Sequence, residues 1–85
     1  MKLTIFDVYV PMQDQEQCDR MKQVCVDNGL PYWKSKTAFE FNYDFDYVFQ
    51  LNNAEFWVTA FKNENFTQVT EADFIILLNE YKSKE

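Results

Sequence analysis

Histidine is absent from these 85 residues, and glycine occurs once, proline twice and cysteine twice. Without histidine there is no imidazole base and no histidine ligand, which excludes Ser-His-Asp chemistry and most zinc sites. A single glycine, Gly29, excludes the glycine-rich loops that cradle phosphates. Two cysteines cannot build a disulfide framework. Positive charge is also scarce: eight Lys and Arg face 14 Asp and Glu, a formal net charge of -6. So acidic a chain is a poor ligand for a phosphate backbone, and direct nucleic-acid binding is not expected. No apolar run reaches the ~20 residues that cross a bilayer. The opening MKLTIFDVYVPM has no long apolar stretch and no small-residue cleavage site, so neither a membrane span nor a secretory leader is expected.

What the chain has in quantity is aromatic surface: nine Phe, five Tyr and two Trp. A domain this small buries a modest share of its unfolded area, and rings that each bury ~150–250 Å² compensate. The length fits one domain, residues 1–85. Residues 2–10, KLTIFDVYV, have apolar side chains on both parities, which predicts a central strand covered on both sides and ended by Pro11. Residues 14–28 switch to helical spacing. Asp14 is the expected N-cap with Gln17 as its capping-box partner, and Cys18, Met21, Val24 and Cys25 form the apolar stripe. Asn28-Gly29 is the expected left-handed stop, with Leu30 folding back and Pro31 blocking continuation.

Residues 39–49 alternate strictly. Phe39, Phe41, Tyr43, Phe45, Tyr47 and Phe49 occupy the odd positions, and Glu40, Asn42, Asp44 and Asp46 fall between them. Period two is the mark of a half-buried strand. Two readings stay open: one long strand, or a break near Asn42–Asp46 as a tight turn between two strands. Asn52-Asn53 predicts a hairpin turn into a strand at Glu55–Phe61, and Lys62–Asn65 a polar loop. Thr70 caps a final helix, with Asp73 at N3 and an apolar stripe of Phe74, Leu77, Leu78 and Tyr81. The expected fold is α+β, in the order β-α-β-β-β-α. An antiparallel sheet of about four strands should carry both helices on one face.

Charge is unevenly placed. Residues 1–37 sum to zero and residues 62–85 to -2, whereas 38–61 hold Glu40, Asp44, Asp46 and Glu55 with no Lys or Arg. If the odd-numbered rings face the helices, these carboxylates share the outer sheet face. Alternate carboxylates on a strand stand ~6.6–6.8 Å apart, near the spacing of backbone phosphates. Such a face is a lure for a basic groove. Tyr32, Trp33 and Trp57 are the residue types that anchor interfaces, and Lys34 and Lys36 make the first two an aromatic-basic corner. Stacking of bases on the ring ladder would need flanking cations that residues 38–61 lack. Cys18 and Cys25, ~10 Å apart along a helix, read as buried reduced thiols suited to a cytoplasmic setting. No catalytic residue, metal ligand or cofactor is expected, because no spacing brings a nucleophile to a base.

The stretches CDRMKQVCVDNGLPYW (Cys18–Trp33) and VTEADFIILLNEYK (Val69–Lys82) in so small and acidic a chain resemble phage-encoded accessory proteins. The resemblance is one of type and carries no functional residue with it. It implies host takeover or anti-defence work: binding a host nuclease of the restriction, CRISPR or toxin kind, in some cases by mimicking DNA. The expected function is therefore inhibition of a host protein with a basic surface. Glu40, Asp44, Asp46 and Glu55 would steer it, and Tyr32, Trp33 and Trp57 would make contact. Self-association through an exposed Trp57/Phe61 face is a second expectation. A nucleotide-sequestering pocket at Lys34, Lys36 and Arg20 is a third.

Overall fold

The computed structural model describes residues 3–33 and 39–84. The chain runs β1 (Val8–Met12), α1 (Gln15–Asp27), β2 (Tyr47–Asn52), β3 (Glu55–Thr59), β4 (Thr67–Gln68) and α2 (Glu71–Ser83). The strands form one sheet in the order β3-β2-β1-β4. β2 lies antiparallel to both β1 and β3, but β4 lies parallel to β1, so the sheet is mixed and not antiparallel throughout. Its membership also differs from expectation: residues 39–46 add no strand, and Thr67–Gln68 supplies one instead.

β1 is central as expected, yet it begins later and Pro11 lies inside it, opposite Val48. Asp7 and Tyr9 accept hydrogen bonds from Thr67 and Val69 across the β4 side. By alternation the Pro11 nitrogen also faces that side, beyond the end of β4, where no ladder bond is lost. Residues 42–45 break the ring ladder as a turn. Phe45 N–H donates to Asn42 O at 3.1 Å, and Asp44 N–H donates to Asn42 Oδ1 at 2.9 Å. Asparagine holding its own downstream backbone wins here over period-two alternation. The hairpin turn falls one residue later than expected, on Asn53-Ala54, with φ of 52° and 72°. Two successive left-handed residues match a type I′ turn, whose twist suits the strands it joins.

The helices form where the capping residues place them. Asp14 caps α1 by accepting from Gln17 N–H at 2.8 Å, although the Gln17 side chain turns back to Gln13 N–H and not to the cap itself. α1 stops in a Schellman arrangement: Leu30 N–H donates to Cys25 O, Gly29 N–H donates to Val26 O, and Gly29 has φ +66. α2 opens with a complete Thr70–Asp73 capping box. Both helices cover one sheet face. Val8, Val10, Phe49, Phe56 and Val58 meet Cys18, Met21 and Cys25 of α1 and Phe74 and Leu78 of α2 in a single core. Phe49 and Phe56 stack with centroids 5.4 Å apart, and Phe74 stands edge-on to both. Past α1, the chain runs parallel to β3 along its outer edge. Phe56 N–H donates to Pro31 O and Trp33 N–H donates to Phe56 O, each at 2.8 Å.

β3 and β4 occupy opposite edges of the sheet, so residues 60–66 must cross it. They cross the face without helices. Gln50 points there from the middle of β2, almost fully buried, and holds the link at two points. Its Nε2 donates to Phe61 O at 3.1 Å, and its Oε1 accepts from Asn63 N–H at 3.0 Å. A buried amide is tolerated because both ends are satisfied.

Candidate functional site

The segment leading into β2 carries the most unusual surface. Phe39 and Phe41 pack on the edge of the core and on Tyr47, with centroids 5.2 and 5.0 Å from the Tyr47 ring. Tyr43 stacks edge-on against Phe41 at 4.8 Å, and Phe45 lies 6.1 Å from Tyr47. The five rings are thus in continuous contact. The inner ones are half-buried, while Tyr43 and Phe45 are 74% and 54% exposed. Phe41 N–H donates to Gln15 Oε1 of α1 at 2.8 Å, which ties the segment to the helix. With the Asn42 turn, that bond fixes the backbone that carries the exposed rings.

Glu40, Asp44 and Asp46 are all exposed along this segment. Glu40, Phe41, Asn42, Tyr43 and Tyr47 surround an open basin of about 670 Å³. None of the three carboxylates forms an ion pair with a described residue. Aromatic faces beside exposed carboxylates suit a guanidinium or ammonium group, through cation–π attraction and charge together.

The predicted residues do not all gather here. Asp44 lies in the turn, and Glu40 and Asp46 lie outside the strands, so the expected ladder of carboxylates at phosphate-like spacing does not form. Glu55 opens β3, paired with Asn52 at the far end of β2 from Asp46. That places it ~20 Å along β2 from Asp46. Glu55 therefore does not cluster with Asp46. Tyr32 turns toward the core and lies under Lys22 at 5.9 Å, and burial pushes its hydroxyl up to about 12. Trp33 and Trp57 meet at 5.0 Å beside the β3 edge, and the Trp57 indole N–H is buried with no acceptor among the described residues. Phe61 is 85% exposed.

Lys34 and Lys36 lie outside the described residues. Arg20, the third member of the expected nucleotide pocket, is already engaged. Its Nε and Nη2 donate to the two Glu71 oxygens at 2.7 and 2.8 Å. This fork joins α1 to α2 and holds the Glu71 carboxyl below its ordinary range, Arg20 hydrogen bonding being the main cause. Cys18 and Cys25 are buried free thiols, pushed up to about 11 and about 12 chiefly by burial. Thiols held in the protonated form are poor nucleophiles. Among the described residues no group of three or more Cys, Asp or Glu is placed to hold a metal ion, and no helix is long and apolar enough to cross a membrane.

The Gln50 clamp and the groove it creates were not foreseen from the sequence. The available signal was one glutamine inside an otherwise apolar run, Tyr47–Leu51. The groove, about 580 Å³, lies between the crossing link (Phe61, Lys62) and the strand side (Asp46, Tyr47, Val48), over Tyr9 and Pro11. Lys62 Nζ stands 5.8 Å above the Tyr9 ring. Comparison with protein-family models, curated proteins and solved structures gives no match, so the functional reading rests on this surface chemistry.

Proposed function

We propose that this chain is a non-enzymatic binding protein of the phage accessory type. It inhibits a nucleic-acid-handling host protein by covering a basic surface of that partner. The observation that carries this reading is the segment 39–46, where exposed Tyr43 and Phe45 stand on an anchored turn among Glu40, Asp44 and Asp46. No Lys or Arg occurs anywhere in residues 38–61 to offset that charge. Carboxylates steer and orient the encounter, and the rings supply most of the contact energy. Mimicry of regularly spaced phosphates is not part of the proposal, because the turn breaks the spacing. Occlusion needs only charge of the right sign and a preformed apolar contact.

The test compares capture from bacterial lysate by the native chain and by Glu40→Lys/Asp44→Lys, at about 50 and about 500 mM salt. The expected result is a nucleic-acid-handling protein that binds the native chain at low salt, weakens at high salt, escapes the variant and loses activity when the purified native chain is added. A captured protein whose binding ignores both salt and the charge reversal would overturn the proposal.

A further inference from the structure

We propose that the basin beside Glu40 seats one arginine side chain of the protein partner, and that this arginine is one with which the partner holds phosphate. The inference rests on the function proposed above and names the group that the acidic aromatic segment recognises.

Phe41, Asn42, Tyr43 and Tyr47 line the basin, and Glu40 is the carboxylate among the described lining residues. Phe41 is inclined 65° to Tyr43 and 57° to Tyr47, so the rings bound the space as tilted walls and not as one flat stack. Ring faces attract a cation, and a carboxylate beside them pairs with it. Asp44 and Asp46, next along the chain, add charge of the same sign. The first turn of α1, tied to Phe41 through Gln15, adds Glu16 and no base.

Among the described residues, every base of the chain itself is placed elsewhere. Arg20 is held by Glu71, Lys22 lies over Tyr32, Lys62 lies over Tyr9, Lys82 donates to Asn28 O, and Lys84 stands beside Leu3 and Thr4. Lys2, Lys34 and Lys36 lie outside the described residues. The cation that this surface calls for is therefore assigned to the partner. Arginine suits it better than lysine, because a guanidinium is planar, stacks on rings and is less strongly hydrated than an ammonium. Arginine is also the side chain that forks a phosphate. Seating it removes a phosphate contact from the partner, which turns binding into inhibition.

Nuclear magnetic resonance of the full chain tests the seat without a partner. The probes are N-acetyl-arginine methylamide, its lysine equivalent of equal charge and its neutral citrulline equivalent. The arginine probe should shift the Tyr43 and Tyr47 ring signals with a dissociation constant on the order of 10 mM. It should bind about 3-fold or more tighter than the lysine probe, with citrulline the weakest. Glu40→Gln and Tyr43→Ala should each weaken the response of Tyr47 to arginine by about 3-fold or more. Both positions are exposed, and far-UV circular dichroism verifies that each variant is folded. Equal responses to arginine and lysine, or shifts that ignore Glu40→Gln, would overturn the seat. So would a response seen only in Lys34→Ala/Lys36→Ala, because the chain's own lysine would then fill the basin. An oligonucleotide should displace the native chain from a captured partner, and a partner that holds both at once would overturn the choice of a phosphate-holding arginine. The two readings fail separately. If a host protein is captured and escapes Glu40→Lys/Asp44→Lys while the arginine probe leaves the rings unmoved, steering by charge stands and the seat is lost. If the probe binds and no host protein is captured, the seat stands and the inhibitory role is lost.

Discussion

The β2–β3 hairpin turns through Ala54 at φ +72, in the left-handed region. An L-residue pays about 1–2 kcal/mol to stand there, and the second position of a type I′ turn is the one where glycine is most favoured. Ala54→Gly removes that strain but loosens the unfolded chain, which offsets about 0.4–1 kcal/mol of the gain. The net stabilisation is about 0.5–1 kcal/mol, worth a rise of about 2–8 °C in Tm for a domain of this size. Gly29→Ala is the mirror experiment. Gly29 has φ +66, and a β-carbon built on it meets nothing within 4 Å, so the change introduces strain without a clash. It should cost about 0.5–1 kcal/mol by the same balance. Urea and thermal unfolding followed by far-UV circular dichroism measure both. The reasoning is refuted if Ala54→Gly lowers the midpoint, or if the two substitutions shift it in the same direction.

Other outcomes follow from the core. Burial raises the Cys18 and Cys25 thiols from 9.0 to about 11 and about 12, so between pH 9 and those values the unfolded chain has released protons that the native state retains. Stability is therefore complete below pH 9 and falls as pH rises, at up to ~1.4 kcal/mol per pH unit for each thiol. The urea midpoint should drop between about pH 9 and about pH 10.5, and Cys18→Ala/Cys25→Ala should flatten that slope although it lowers the plateau; equal slopes would show that the thiols do not cause it. Phe56 lies fully buried between Phe49 and Phe74. Phe56→Ala should cost about 3–5 kcal/mol, a large share of the stability of so small a domain, and abolish a cooperative melt at physiological temperature. A Tm shift of only a few degrees would show that the site collapses around the cavity.

The parts legible in the sequence were those encoded by neighbouring residues. Asp14, the Asn28-Gly29-Leu30 stop and the Thr70–Asp73 box act within one helical turn, and the helices begin and end at them. Phe49, Phe56, Phe74 and Leu78 were readable as core from periodicity. Strand limits were less legible because they depend on distant partners. Pro11 reads as a terminator until the short reach of β4 is known, and Thr67–Gln68 is too short to show a period of its own. The ring ladder misled in a specific way. Alternation in residues 39–49 described side-chain parity correctly for Tyr47 and Phe49, whereas at Asn42 a local side-chain bond decided the backbone. For the candidate site, composition located the acidic aromatic segment. Only the fold separates Glu55 from it and brings the distant residues Asp46 and Lys62 to opposite walls of one groove.

The pairing of Trp33 with Trp57 gives this protein an uneven optical signature. Both tryptophans of the chain stand within 5.0 Å of one another at the β3 edge, where residues 31–33 are joined to the sheet by two hydrogen bonds to Phe56. Tryptophan emission will therefore report the detachment of that strap, while far-UV signals report the helices on the opposite face. Coincident curves from the two probes would mean that the strap and the helical core unfold as one unit; an earlier emission change would mark the strap as a separately opening edge.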